Sequence, residues 1–239
     1  LASSASAFAA LALAVADALK LDMTRQELST FARRGSGSST RSLFGGFVEW
    51  AMGTSSEDSM AHPVDDADWD IGMLVLVVDS QEKKIASRIG MEHTVQTSPF
   101  YPAWIETARE DLQAMKAAIA EKDFETLGRI TEHNGFKMHA TTLSANPPFT
   151  YWSADSLLAQ EAVRLVREEL QVPAYMTMDA GPNVKILCRA SDMGRLRKAL
   201  SIHFPAENII SSLPGPAAYV LSEADWQQSK MRLTEGNHV

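Results

Sequence analysis

The sequence predicts an α+β fold in which helices pack on one face of a sheet. An apolar run rich in β-branched residues spans 71–78, and two short apolar segments flank a Gly-Pro turn within 174–188. Amphipathic helical patterns lie between these segments. Strands and helices in this order are typical of an α+β arrangement.

The first helix is predicted from the spacing of apolar residues near the start of the chain. Residues 1–16 are uncharged and resemble a signal-peptide core. No basic segment precedes them, and Asp17 interrupts the run well before the roughly 20 residues of a membrane span. Apolar residues recur at helical spacing: Phe8, Leu11, Ala12, Val15 and Leu19. We expect a buried helix of a soluble protein, in a chain that is a fragment of something longer.

Thr24 and Glu27 have the spacing of a capping box and predict a second helix that ends near Arg33. A strand is expected at 47–50. The acidic, turn-rich run 53–70 is predicted to be a loop between two lobes. The expected domains are therefore residues 1–70 and 71–239.

The second lobe is predicted to alternate helices with short strands. Beyond the strand at 71–78, apolar periodicity predicts a helix through 105–119, one capped by Asp123, and one through 158–166 that Pro173 closes. The paired strands at 174–178 and 184–188 come next. A helix near 192–203 and a short strand near 218–221 complete the expected order.

Composition excludes several classes of protein. The formal net charge of -8 over 239 residues argues against a nonspecific nucleic-acid binder. The single cysteine, Cys188, excludes an intramolecular disulfide, lies in an apolar strand and is expected in the core, which fits a reducing, cytoplasmic setting. His133 and His139 are six residues apart, and no His or Cys cluster has zinc spacing. We expect each histidine to be either a satisfied core residue or solvent-facing.

Asp179 is the first candidate for chemistry. It lies in Asp-Ala-Gly-Pro-Asn-Val, where the first of the paired strands ends. An acid at the lip of a hairpin can be held from both sides and still face a cleft, which suits a general base. The alternative is an Asx-type turn, in which Asp179 bonds its own backbone.

Two hydroxyl-rich segments are candidates for binding an anion. Residues 1–6 stand at a helix start, where backbone N–H groups attract anions. Residues 35–41 combine two glycines, four hydroxyl residues and Arg41, whose guanidinium is a planar fork for phosphate or carboxylate. Thr97 and Ser98 are a further hydroxyl pair. Helix capping and a plain flexible loop remain alternative interpretations, and no P-loop motif is present.

Five motifs, taken in order, resemble mevalonate diphosphate decarboxylases of the GHMP kinase superfamily. They are Leu-Ala-Ser-Ser-Ala-Ser, Gly-Ser-Gly-Ser-Ser-Thr-Arg-Ser-Leu-Phe-Gly-Gly-Phe-Val-Glu-Trp, Thr-Ser-Pro-Phe-Tyr, Met-His-Ala-Thr and Met-Asp-Ala-Gly-Pro-Asn-Val-Lys. The resemblance runs to about residue 221. It implies a two-lobe GHMP kinase fold, with a partial ribosomal-S5-like N-terminal lobe and a ferredoxin-like C-terminal lobe.

The resemblance also implies an ATP- and Mg²⁺-dependent decarboxylation of mevalonate 5-diphosphate to isopentenyl diphosphate by a homodimer that binds neither nucleic acid nor membrane. The implied catalytic residues are Asp179, Arg41 and Ser98. The implied substrate-binding residues are Ser36, Gly37, Ser38, Ser39, Thr40, Arg41 and Thr97, and the implied ATP-binding residues are Leu1, Ala2, Ser3, Ser4 and Ser6. No metal ligand is assigned.

Two other functions are compatible with these motifs. One is a related GHMP kinase that phosphorylates mevalonate or phosphomevalonate without decarboxylation, and the other is a non-catalytic ligand-binding module. Family members begin with further residues that this chain lacks, including those that hold the nucleotide base. We therefore expect the chain alone to be inactive.

Overall fold

The computed structural model describes residues 3–79 and 85–235, and only the backbone of Ser3 and residues 231–235. Contacts divide the chain into two units, each described here by itself. Unit 1 comprises Leu1–Ala67 with Gly215–Val239, and unit 2 comprises Asp68–Pro214. The predicted domains 1–70 and 71–239 remain a prediction. None of the helices in the described ranges has the length and apolar composition needed to cross a membrane.

The described residues of unit 1 form three α-helices, one 3-10 helix and two strands: α1 (Ser3–Ala18), α2 (Arg25–Gly35), the 3-10 helix Gly37–Leu43, β1 (Phe47–Trp50), β2 (Ala61–Asp65) and α8 (Glu223–Glu235). The predicted capping box begins α2: Thr24 Oγ1 accepts from the N–H of Glu27, and the Glu27 carboxylate accepts from the N–H of Thr24 at 2.7 Å. Because two otherwise unpaired donors are satisfied, the helix start is well defined.

The helix α1 packs on α2, but the expectation that its apolar face is buried is wrong in part. Gly35 permits the contact, since a Cβ there would overlap the ring of Phe8. Ala9 is 2 % exposed, whereas Leu11 is 57 % and Val15 43 % exposed. Helical spacing located the apolar stripe, yet the packing within unit 1 covers only part of it.

The strand β2 lies inside the run that was predicted to be a loop, and that prediction is wrong. β2 pairs antiparallel with β1, with Val48 opposite Pro63 and Trp50 opposite Ala61. The buried N–H of Ala61 donates to Ser29 Oγ of α2 at 2.9 Å. A polar strand that contains proline lacks the alternation of apolar and polar residues by which strands are predicted. It forms because β1 and Ser29 bond its backbone.

The described residues of unit 2 form five α-helices, two short 3-10 helices (Ala190–Asp192 and Ala206–Asn208) and four strands: β3 (Gly72–Leu76), α3 (Ser87–Thr97), α4 (Tyr101–Ala120), α5 (Phe124–Leu143), α6 (Ala154–Leu170), β4 (Ala174–Thr177), β5 (Val184–Cys188), α7 (Met193–Leu200) and β6 (Ile209–Ser212). The strands form an antiparallel sheet in the order β4-β5-β3-β6. Asp123 caps α5 as predicted, accepting from the N–H of Thr126 at 3.1 Å.

The core of unit 2 lies between this sheet and two helices. Alternate residues of the strands, such as Leu74, Met176 and Ile186, pack with Val163 of α6 and Leu196 of α7. All five are at most 2 % exposed. The predicted α+β class is confirmed, with α6 and α7 packed against the sheet.

The helix α5 runs beside the edge strand β4 and bonds its outer backbone. The N–H of Met176 donates to Glu132 Oε2 at 2.8 Å, and Arg167 of α6 binds both oxygens of Glu132 at 3.1 Å. An open strand edge presents unpaired N–H and C=O groups. The position of α5 is therefore fixed against β4 by a charged pair.

One strand predicted for the C-terminal part is wrong, and one strand and one helix were not predicted. Residues 218–221, predicted as a strand, have no regular secondary structure. The fourth strand is Ile209–Ser212, which pairs with β3. The helix α3 was not predicted either. Its apolar residues Ile89, Met91 and Val95 are exposed, so the helix has no buried apolar stripe of the kind that sequence periodicity reveals.

Candidate functional site

Asp179 lies in the turn that joins β4 to β5, as the sequence predicts. Its side chain is 69 % exposed, and its Oδ1 is 2.8 Å from Lys185 Nζ. The N–H of Gly181 donates to the carbonyl of Asp179 at 2.7 Å, so main-chain atoms close the turn. The carboxylate is therefore accessible while its backbone is constrained.

The two sides of this turn are tied to two different helices. His139 Nε2 of α5 is 3.3 Å from the carbonyl oxygen of Met178, the residue that precedes Asp179. Ser156 Oγ of α6 donates to the carbonyl of Pro182 at 2.7 Å. His139 and Ser156 are 1 % and 0 % exposed, so both bonds start from buried side chains.

Asn183 extends the same turn toward the end of β3. Its Oδ1 accepts from the N–H of Val78 at 2.9 Å and of Asp79 at 3.2 Å. One side chain thereby satisfies two backbone donors beyond the last residue of β3. The turn that carries Asp179 is thus bonded to α5, α6 and the segment after β3.

His139 is neutral because burial lowers its pKa below the ordinary value. The Lys185 charge acts in the same direction, while the carbonyl of Met178 and the charge of Asp179 oppose it. A carbonyl oxygen only accepts, so Nε2 carries the proton. Nδ1 has no hydrogen-bond partner among the described residues. The ring lies 4.8 Å from that of Trp152, centroid to centroid.

In unit 1, the predicted anion loop forms the 3-10 helix and the residue before it. Ser39 and Thr40 are fully buried, and their hydroxyls donate to the carbonyls of Ser36 and Gly37 at 2.5 and 2.6 Å. Ser38 is exposed. The roles assigned to these residues remain predictions, but only Ser38 presents an exposed hydroxyl.

The first turn of α1 meets this loop. Ser4 Oγ is 3.3 Å from Ser36 Oγ, and Ser6 is exposed. Leu1 and Ala2 lie outside the described residues. A helix start and a Gly-Ser loop that share a hydroxyl contact form a donor-rich surface of the kind that binds phosphate.

Arg41 is exposed, and no side-chain partner of its guanidinium is found among the described residues. Desolvation lowers the pKa of Arg41. Because the ordinary pKa of a guanidinium is very high, Arg41 still keeps its charge at neutral pH. An unpaired, partly desolvated guanidinium is suited to an anion from outside the protein.

Thr97 and Ser98, in unit 2, hold the end of α5. Thr97 Oγ1 accepts from the N–H of Asn146 at 3.0 Å and donates to the carbonyl of His93 at 2.8 Å. Ser98 Oγ is 2.7 Å from Ser144 Oγ. Their proposed contacts with substrate remain predictions.

Sequence reasoning missed Ser156, Asn183 and Lys185, and it treated His139 as one histidine among several. Lys185 carried a local signal, since six residues separate it from Asp179 across a turn. Asn183 lies in the same turn, whereas Ser156 and His139 are on α6 and α5, 23 and 40 residues before Asp179. Among the described residues, no group of three or more His, Cys, Asp or Glu side chains could hold a metal ion.

Two family models match the chain. The diphosphomevalonate decarboxylase-like N-terminal domain matches residues 1–61, and the mevalonate 5-diphosphate decarboxylase C-terminal domain matches residues 73–235. The diphosphomevalonate decarboxylase of Candida albicans is 38 % identical over 209 residues, which cover 85 % of this chain and 58 % of that protein. The chain therefore spans little more than half the length of this relative.

Solved structures give the same result. A structure described as MDDEF in complex with MVAPP, AMPPCP and magnesium has a TM-score of 0.86 and 47 % identity, covering 91 % of this chain and 67 % of that one. The mevalonate diphosphate decarboxylase of Staphylococcus aureus has a TM-score of 0.88 and 43 % identity, covering 93 % and 68 %. The likeness extends over both units.

Proposed function

The chain belongs to the mevalonate diphosphate decarboxylase family, and we propose that the complete protein catalyses ATP-dependent decarboxylation of mevalonate 5-diphosphate. The products are isopentenyl diphosphate, carbon dioxide, ADP and phosphate. Bound ATP with Mg²⁺ supplies the phosphoryl group that makes the tertiary hydroxyl of the substrate a leaving group.

The observation that carries this proposal is the position of Asp179. An accessible carboxylate on a turn that is bonded on both sides meets the geometric requirement for a general base. Asp179 takes the proton of the tertiary hydroxyl as its oxygen is phosphorylated. The C–O bond to the phosphate group then breaks, and phosphate leaves with its electron pair. The C–C bond to the carboxylate breaks as carbon dioxide leaves, and its electron pair forms the double bond between the tertiary carbon and the carbon that carried the carboxylate.

Arg41 binds an anionic group of the substrate. Its guanidinium has no described protein partner and retains its charge, which supports a carboxylate or a diphosphate as its counterion. The exposed hydroxyl of Ser38 adds a neutral donor next to it in the loop. Ser98 and Thr97 are proposed to act on the substrate as well, although their hydroxyls also hold the fold.

The described residues fit a triphosphate. The first turn of α1 and the loop that follows α2 approach each other at Ser4 and Ser36, where backbone N–H groups and hydroxyls are available. Mg²⁺ is usually held by one or two carboxylates together with phosphate oxygens. The lack of a larger ligand cluster among the described residues is compatible with that mode.

The proposal is tested by measuring carbon dioxide and ADP released from mevalonate 5-diphosphate by the complete protein. Asp179→Asn is expected to lower kcat by about 10²–10⁴-fold. Asp68→Asn is the matched control, since Asp68 is 80 % exposed and paired with Lys122 at 3.5 Å. ADP release without carbon dioxide would instead indicate a kinase, and wild-type kcat in Asp179→Asn would refute the role of Asp179.

We also propose that the complete protein is a cytoplasmic homodimer, as the family resemblance implies. Sedimentation equilibrium at several concentrations measures the assembly. A monomer at all concentrations would contradict it.

A further inference from the structure

We propose that His139 and Ser156 are positioning residues that hold the Asp179 carboxylate in place through main-chain carbonyls on either side of its turn. The inference deepens the proposed function and rests on it. Both side chains act through the main chain of the turn. Each acts on a peptide group at one end of the run 178–182.

The bond from His139 controls the peptide plane that enters Asp179. The carbonyl of Met178 and the N–H of Asp179 belong to one planar unit, so fixing the oxygen also fixes the orientation of the Asp179 backbone. His139 Nε2 is 3.3 Å from that oxygen, and the imidazole ring packs against the ring of Trp152. Because burial keeps the imidazole neutral, it acts as a stable N–H donor over the neutral pH range.

The bond from Ser156 fixes the other end. Its hydroxyl donates to the carbonyl of Pro182, whose ring already restricts the backbone φ angle. Ser156 Oγ also accepts from the N–H of Ser153 at 3.0 Å, as the second half of the capping arrangement of α6. The first turn of α6 and the end of the catalytic turn therefore share one hydroxyl.

The bonds from His139 and Ser156 act on the backbone of the turn, whereas the ion pair with Lys185 acts on the carboxylate. The ion pair with Lys185 joins a side chain that is 69 % exposed, and such pairs contribute little in water. The bonds from His139 and Ser156 start from buried side chains on helices that pack on the sheet, α5 beside β4 and α6 against β4 and β5. The two main-chain bonds thus set the position of the Asp179 backbone, while Lys185 contacts the carboxylate itself.

The experiment uses the complete protein and four variants. His139→Leu and Ser156→Ala each remove one donor, and His139→Gln keeps an amide N–H near the position of Nε2. Thr131→Val is the matched control, since Thr131 lies on α5 and its hydroxyl donates to the carbonyl of Leu127 at 2.9 Å, away from the turn. The readouts are kcat, KM for mevalonate 5-diphosphate, the melting temperature, and amide hydrogen exchange in residues 178–184.

We expect His139→Leu and Ser156→Ala to lower kcat by about 10- to 100-fold, as for a misplaced catalytic group, with little change in KM. Exchange in residues 178–184 should become faster in both. His139→Gln should recover most of the loss, and Thr131→Val should behave as wild type. In the Asp179→Asn background, His139→Leu should have no further effect on kcat, because there is no base left to position.

Three outcomes would overturn the inference: kcat in both variants no lower than in Thr131→Val, a rise in KM alone, or unchanged exchange in residues 178–184. Failure of the proposed function has a different signature. If Asp179→Asn itself retains wild-type kcat, Asp179 is not the base and the positioning role falls with it. In that case, faster exchange in the His139 and Ser156 variants would show that the two bonds still hold the turn.

Discussion

Lys185 Nζ lies 2.8 Å from Asp179 Oδ1 across the β4–β5 turn, which pairs the candidate base with a cation from the next strand. Lys185 is 23 % exposed and Asp179 69 %. The lysine is therefore the more buried partner, and its ammonium group contacts one oxygen of the carboxylate.

Replacing Lys185 by Met should affect activity more than stability. We expect the free energy of unfolding to change by less than about 1 kcal/mol, because the carboxylate of the pair is 69 % exposed and therefore solvated. We expect kcat to fall about tenfold or more, because the carboxylate loses its orienting partner. Lys122→Met, which breaks the exposed pair with Asp68, is the control and should leave kcat unchanged.

The stability of the protein should depend on pH through His139. Its pKa in the folded state is lowered by burial, whereas in the unfolded chain it is about 6.5. The unfolded chain thus binds a proton that the folded one does not, so stability is full above about pH 6.5 and is lost as the pH falls below that value. The charges that act on the ring are those of Asp179 and Lys185, and Glu132 lines the same small cavity.

Urea denaturation between pH 5 and pH 8 measures this dependence, in wild type and in His139→Gln. The variant should show a shallower decline below about pH 6.5. Equal slopes in the two proteins would mean that another group causes the decline.

Gly128 of α5 should not tolerate a side chain. A Cβ there would overlap the ring of Tyr175 on β4, whose hydroxyl donates to Glu125 at 2.5 Å. We expect Gly128→Ala to reduce the free energy of unfolding by about 1–3 kcal/mol through overpacking. Gly194→Ala on α7 is the control, since nothing lies within 4 Å of its Cβ position. It should be neutral or stabilise by up to about 1 kcal/mol in denaturant titrations.

Cys188 should be unreactive in the folded protein. Burial first, and then the charge of Asp192, raise its pKa to about 12, so the thiolate is scarce at neutral pH. A thiol reagent at pH 8 should label no cysteine in the native protein and one after unfolding in guanidinium. Rapid labelling of the native protein would contradict the burial of this strand.

Arg41 should contribute to substrate binding. Arg41→Gln removes a guanidinium that has no side-chain partner within 3–79 and 85–230, and should raise KM for mevalonate 5-diphosphate by about 10- to 100-fold, the cost of a hydrogen bond to a charged group. Arg34→Gln is the control in the same unit, since Arg34 is exposed and stacks on Phe31. If both variants have the wild-type KM, Arg41 does not bind the substrate.

Local sequence patterns predicted the structure correctly where the hydrogen bonds that define it come from residues nearby in the chain. The capping box at Thr24 and the cap at Asp123 depend on atoms three residues away, and both are confirmed. The hairpin of β4 and β5 also followed from its apolar segments and Gly-Pro turn. Short-range geometry decides these features, so the sequence carries them in a few adjacent positions.

Patterns failed where a distant partner provides the bonds. β2 is polar and contains Pro63, and it is a strand only because β1 and Ser29 satisfy its backbone. The opposite error occurred at 218–221, where apolar residues suggested a strand. No strand among the described residues pairs with this segment, and it has no regular secondary structure. Strand formation at an edge is decided by pairing, which composition does not encode.

The same distinction applies to the candidate site. The sequence alone places Asp179 at the tip of a hairpin, identifies Arg41 in a Gly-Ser loop, and assigns the family. It does not indicate that His139 and Ser156, on two different helices, bond the carbonyls of Met178 and Pro182. Those bonds exist only because α5 and α6 pack against β4 and β5, and such packing joins residues that share no local pattern.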